Sequence, residues 1–166
     1  MLFTLWELID LVIMVFAIGY IFSSFIKREP AAGYDPLTYY KKNTLFQDIK
    51  YASIIAAPAV ILHELGHKFV AMFFGATATL HAPLTWYAIV IVMKLLNFPL
   101  FFFVGGYVEH TALPPLESAL VSASGPFVNL LLFLICTGLI KYRLVNKKYY
   151  MIYIPFILIY FICAIN

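Results

Sequence analysis

Of 166 residues, 64% are hydrophobic and only 11% charged, and the mean hydropathy is +0.94. Soluble domains run at roughly 45–50% apolar and about 25% charged, so a water-soluble globule of this size could not bury so much apolar surface. With 18% aromatic residues and a net charge of only +3, the chain is neither a disordered segment nor a nucleic-acid binder. Cys136 and Cys163 both lie in apolar runs, which argues against a disulfide framework. The composition predicts an all-α polytopic membrane protein, one membrane domain over 1–166, with room for about four transmembrane helices of roughly 20 residues each.

The first apolar run, Leu2 to Ile26, closes on Lys27-Arg28-Glu29-Pro30. It is too long for the apolar part of a signal peptide and has no small-residue cleavage site, so residues 1–28 read as a retained anchor helix. Glu7 and Asp10 sit in its first turns, where a helix N-terminus or an interfacial position tolerates acids. Residues 29–50 form a basic loop with Pro30, Gly33 and Pro36 as breakers. A second run, Tyr51 to Phe74, is helical by length, is kinked rather than stopped by Pro58, and is capped by Gly75.

Leu84 to Val104 is apolar enough to cross a bilayer, but Lys94, Asn97 and Pro99 interrupt it and Gly105-Gly106 follow. The fourth run, Glu117 to Ile140, contains Gly125-Pro126. Residues 141–166 comprise a short basic loop (Lys141, Arg143, Lys147, Lys148) and a last apolar run, Tyr149 to Ile165. The basic stretches 27–50 and 141–148 contrast with 75–83 and 105–117, which carry no Lys or Arg, so the two basic loops belong on one side of the membrane. That needs an even number of crossings between them. Helices 51–74 and 117–140 supply two, so 84–104 is expected to dip in and return or to lie within the protein. Lys94 then either snorkels to an interface or is covered by the surrounding loop.

The chemistry concentrates in Leu62-His63-Glu64-Leu65-Gly66-His67. On a helix, His63 and His67 project from one face one turn apart, a spacing that suits two nitrogen ligands of one zinc ion. Glu64 is displaced round the helix, where it reaches a water activated by the metal rather than the metal itself, and can take and return its proton. Buried polar residues satisfied by neighbouring helices are the plain alternative. Three ionisable groups within five residues of an apolar helix weigh against it, since each costs about 2.5–3.5 kcal/mol to insert if charged. A second stretch, Ser122-Ala123-Ser124-Gly125-Pro126-Phe127-Val128-Asn129, reads alone as a kinked helix with small packing residues. Its Asn129 needs a partner inside the bilayer.

Together these two stretches resemble the site-2 protease family of intramembrane zinc metalloproteases. There one membrane helix carries HExxH and a later one carries a small residue followed by GPxxN. The matching residues are His63-Glu64-Leu65-Gly66-His67 and Ser124-Gly125-Pro126-Phe127-Val128-Asn129, and the likeness covers roughly 50–140. The resemblance implies a metalloprotease core over 51–140, with a membrane-embedded, strand-containing connection between the two helices, and 84–104 with Gly105 to Glu109 is compatible with it. It implies zinc as cofactor, His63 and His67 as ligands, Glu64 as general base and acid, and Asn129 as a residue that positions substrate. The implied partners are the lipid bilayer and a single-span membrane protein that unwinds locally, with strands near Gly105 to Val108 receiving the extended segment by edge pairing.

The family's third ligand is an Asp in an NxxPxxxxDG motif on a later helix. No such motif occurs in these 166 residues, and the aspartates are Asp10, Asp35 and Asp48. Residues beyond Asn166, another chain, or an in-chain residue among His81, His110, Glu109 and Glu117 would have to complete the site, although a surface role is the plainer reading of those four. The expected function is therefore a multi-pass intramembrane zinc protease. The alternative is a catalytically incomplete fragment or non-proteolytic membrane subunit that retains the fold. Prenyl-protein endopeptidases lack the GPFVN feature, and a transporter would need paired broken helices or a repeat that the chain does not show.

Overall fold

A computed structural model describes residues 2–26, 44–98 and 104–144. Four helices and two short strands run in the order α1 (Leu5–Phe22), α2 (Thr44–Phe73), β1 (Ala78–His81), α3 (Leu84–Leu95), β2 (Tyr107–His110) and α4 (Pro115–Lys141). Among the described residues, three helices, α1, α2 and α4, are long and apolar enough to cross a membrane. The expected fourth crossing, Tyr149 to Ile165, lies outside the described residues.

Each helix starts and stops for local reasons. Thr4 caps α1 in a capping box: its side chain accepts from Glu7 N–H while the Glu7 carboxylate accepts from Thr4 N–H at 2.8 Å. The helix α2 begins at Thr44, so the last part of the predicted loop 29–50 is helical instead. No Gly or Pro interrupts 44–57, and nothing there opposes helix propagation. Pro58 lies inside α2 without ending it. The stop comes at Gly75, whose φ of +82° allows Ala76 N–H to bond Ala71 O and Gly75 N–H to bond Met72 O, both at 3.0 Å.

Helix α3 has 12 residues and is about 18 Å long, too short for a hydrocarbon core of roughly 30 Å. The expected dip of 84–104 includes residues 99–103, which lie outside the described residues. Lys94 on α3 reaches across to α1. Its Nζ donates to Tyr20 O and to Ser23 Oγ (2.9 Å) at the C-terminal end of α1, and it sits 4.2 Å from the Tyr20 ring centroid. The last carbonyls of a helix carry partial negative charge, which a lysine complements.

The core lies between α1 and α2, where Met14, Ile18 and Ile21 pack against Ala52, Ile55, Ala56 and Ala59. Small residues on α2 let the helices approach closely, and Ser53 Oγ donates across the interface to Val15 O at 3.1 Å. On its other side α2 meets α4. A Cβ on Gly66 would stand 3.0 Å from Val128 Cγ2 and 3.2 Å from Ser124 O, so Gly66→Leu is expected to wedge the helices apart. Overpacking of this kind costs about 1–3 kcal/mol, readable as an earlier unfolding midpoint in detergent.

The strands pair antiparallel, with Leu80 opposite Val108 and His81 opposite Tyr107. Ala78 and Leu80 face the core, and the outer face carries Thr79, His81, Tyr107 and Glu109.

Candidate metal centre

The i, i+4 spacing places the two imidazoles of α2 side by side, with ring centroids 4.8 Å apart and planes at 80°. Helix α4 crosses opposite them at Gly125. A Cβ there would lie 2.6 Å from His63 Nε2 and closer still to His67 Nε2, so both nitrogens converge on the one backbone position that has no side chain. The residues of HELGH and GPFVN thus meet in space although they are about sixty residues apart in the chain.

The remaining ring nitrogens are held by α4. His67 Nδ1 is 2.7 Å from Val121 O. A carbonyl only accepts, so Nδ1 carries the proton and Nε2 presents a lone pair, the tautomer a metal ligand requires. Ser124 Oγ donates to the same carbonyl at 2.6 Å and stands 3.4 Å from His67 Nδ1, closing that side of the ring. Asn129, fully buried, places its amide 3.0 Å from His63 Nδ1. With Nδ2 donating, the His63 proton sits on Nε2. With the amide turned over, Oδ1 accepts from Nδ1–H, and Nε2 presents a lone pair as in His67. Asn129 Oδ1 is a buried atom with no hydrogen-bond partner among the described residues, and the turned form gives it one. These features fit a metal: two convergent nitrogen donors, each oriented by a hydrogen bond on its other nitrogen.

Glu64 is 7% exposed and packs under the turn that leads into β2, where a Cβ on Gly106 would come 2.8 Å from Glu64 Cγ and 2.8 Å from Met14 Cε. The buried Tyr87 on α3 donates its hydroxyl to Gly105 O and fastens that turn over the carboxylate. Tyr87 did not stand out in the sequence, whereas Gly105-Gly106 did, as part of the connection expected between the two motif helices.

The in-chain candidates for a third ligand lie elsewhere. His81 is 3.2 Å from Thr79 Oγ1 and 3.4 Å from Asp10 Oδ2, and it stacks on Tyr107. His110 Nδ1 donates to Thr111 O at 2.9 Å, Glu109 is exposed on β2, and Glu117 is in the first turn of α4. Among the described residues, no three His, Cys, Asp or Glu side chains form a group that could hold a metal.

By its position in the first apolar run, Glu7 is expected at a helix N-terminus or at the interface. The capping box agrees with the first, but Glu7 is also buried against Lys68 of α2 in an ion pair with both side chains nearly inaccessible. Two opposite charges in separate apolar runs were the signal, because a charge inside an apolar bundle needs a partner. Removing one partner of such a pair costs about 3–5 kcal/mol.

Fold and site together define a mostly helical protein with, among the described residues, three helices long and apolar enough to cross a membrane and a half-buried histidine pair between two of them. No family model matches the chain, and neither a curated protein nor a solved structure matches it.

Proposed function

We propose that this chain is a multi-pass intramembrane zinc metalloprotease that hydrolyses peptide bonds of single-span membrane proteins. The observation that carries the reading is the convergence of His63 Nε2 and His67 Nε2 on Gly125, with Glu64 in the same turn of α2. A membrane setting is supported by the outward faces of the three long helices, among them Trp6, Val12 and Phe16 on α1 and Phe127, Leu131 and Leu134 on α4. In water, apolar patches of that extent would aggregate. Four crossings follow if the run Tyr149 to Ile165 also spans.

His63 and His67 would hold the ion. A zinc ion held there would supply Lewis-acid chemistry for hydrolysis. Glu64 would accept a proton from the attacking water and return it to the leaving amine. Asn129 orients His63 and offers its amide to the substrate backbone.

An intact helix hides its carbonyls in hydrogen bonds, so cleavage needs an extended segment, and β2 is the strand placed to hold one. Leu80 N–H donates to Glu7 Oε1 at 2.8 Å rather than to β2, whereas Thr111 N–H bonds Thr77 O at 3.1 Å. In antiparallel alternation, Leu80 and Val108 are therefore a non-hydrogen-bonded pair, and the Val108 N–H and C=O point away from β1. Among the described residues the sheet has only these two strands. A substrate strand added at Val108 would run past Gly106, which rests on Glu64.

A second reading, a non-proteolytic membrane subunit that retains the fold, is favoured by one observation: no third ligand joins the histidines among the described residues. Zinc content of the full chain in detergent, measured beside cleavage of a single-span reporter, separates the two. The protease reading expects stoichiometric zinc and reporter cleavage. It expects His67→Ala to weaken zinc binding by more than the ~10–100-fold typical of losing a residue hydrogen-bonded to a ligand. A chain with neither zinc nor cleavage would establish the second reading.

A further inference from the structure

Glu7 and Lys68 come from different helices and are 2% and 1% exposed, yet neither is a candidate metal ligand or proton carrier. The Glu7 carboxylate accepts from Lys68 Nζ, from Leu80 N–H at 2.8 Å and from Thr4 N–H at 2.8 Å. One carboxylate thereby joins α1, α2 and β1. Lys68 follows His67 directly and stands one helical turn beyond Glu64, on nearly the same face.

Two apolar side chains could fill the same space, and replacing a buried ion pair in that way is often neutral or stabilising. An apolar pair cannot supply direction, however. Lys68 must point at a carboxylate that is itself held by the α1 capping box and by a strand N–H, which restricts rotation of α2 about its axis. Each residue advances a helix by about 100°, so a modest rotation would turn both imidazoles away from Gly125. The same carboxylate holds β1, and through β1 it holds β2, the strand that begins beside Glu64.

We propose that the Glu7–Lys68 pair is the positioning device of the site. It sets the rotation of α2 and the placement of β1, so that His63, Glu64, His67 and the β2 edge keep one register. Both are positioning residues, since they act through α2 and the sheet. The inference rests on the protease reading for its activity readout alone.

The test uses the full chain in detergent micelles, as wild type, as the double variant Glu7→Leu/Lys68→Met, and as Glu7→Gln. Two quantities are read: reporter cleavage, and the imidazole ¹⁵N signals of His67, which report the Nδ1-protonated tautomer set by Val121 O without any turnover. The double variant is expected to unfold no earlier than wild type. Its kcat should nevertheless fall about 10–100-fold, as for a misplaced reacting group, with KM within about twofold and His67 divided between tautomers. Wild-type kcat with a single His67 tautomer in the double variant would overturn the proposal and leave the pair as a replaceable brace. Glu7→Gln keeps an acceptor for Leu80 N–H but no charge for Lys68, and it is expected to shift both readouts the same way. If the double variant does not fold, unchanged readouts in Glu7→Gln overturn the proposal. If the wild type cleaves no reporter, the protease reading fails on its own, and the His67 tautomer alone decides the positioning role.

Discussion

Glu64→Gln is expected to lower turnover of a single-span reporter by about 10²–10⁴-fold while zinc content stays at the wild-type level, because the change removes only a proton acceptor. Glutamine has nearly the same shape, so the packing under Gly106 survives, but its amide cannot take a proton from water. Zinc retention follows from where the charge sits. His63 and His67 face Gly125 on α4, whereas Glu64 lies under the Gly105-Gly106 turn, on another side of α2. A cleavage time course with metal analysis of the same sample checks both halves. Unaltered turnover would remove Glu64 from the mechanism, and joint loss of zinc and turnover would make it a ligand instead.

Gly125→Ala should have the next largest effect, although it looks conservative. In a helix interior alanine is favoured over glycine by about 0.8–1.0 kcal/mol, so α4 should form at least as well. The added methyl would nevertheless stand 2.6 Å from His63 Nε2 and closer to His67 Nε2. His67 cannot swing aside without giving up its 2.7 Å bond to Val121 O, nor His63 without leaving Asn129 at 3.0 Å. The expected result is unchanged helicity with zinc affinity reduced at least ~10–100-fold and cleavage reduced with it. Gly138→Ala on the same helix is the control, since a Cβ there meets nothing within 4 Å. Competition with a chromophoric zinc chelator reads the affinity. Wild-type affinity in Gly125→Ala would mean that the imidazoles do not bind metal at the face they present to α4.

The long helices were legible because their information is one-dimensional. A run of apolar residues has a length, and the bilayer has a thickness, so α1, α2 and α4 follow from counting. The histidine pair was legible for a similar reason: an i, i+4 spacing fixes relative direction within one helix whatever surrounds it. The short sheet was less so. Ala78–His81 has only four residues, so neither its length nor its alternation rises above the background of turns, and strands in this connection were expected only from the family resemblance. The early start of α2 was hidden by its polar residues, since Gln47, Asp48 and Lys50 resemble a loop although nothing among them breaks a helix.

Contacts between distant segments were not legible. Glu7 was read with Asp10 as a helix N-terminal or interfacial acid and Lys68 was not singled out; only the crossing of α1 with α2 makes them a pair. Tyr87 looked like one more aromatic residue of α3 until its hydroxyl was found on Gly105 O. Lys94 carried a charge whose partner, the carbonyl end of α1, has no side-chain signature at all.

Composition, apolar run lengths and the spacings within HELGH and GPFVN are properties of the chain taken alone, and they determined the helical class and the residues able to carry the chemistry. Tertiary structure decided which way those residues face. The rotation of α2 against α4 brings His63 and His67 to Gly125, and the docking of α1 and the strands places Glu7, Gly106 and the β2 edge around them. Local sequence sets dihedral angles and periodicity over a few turns. The relative rotation and depth of two helices depend instead on side chains that meet only after the chain has packed.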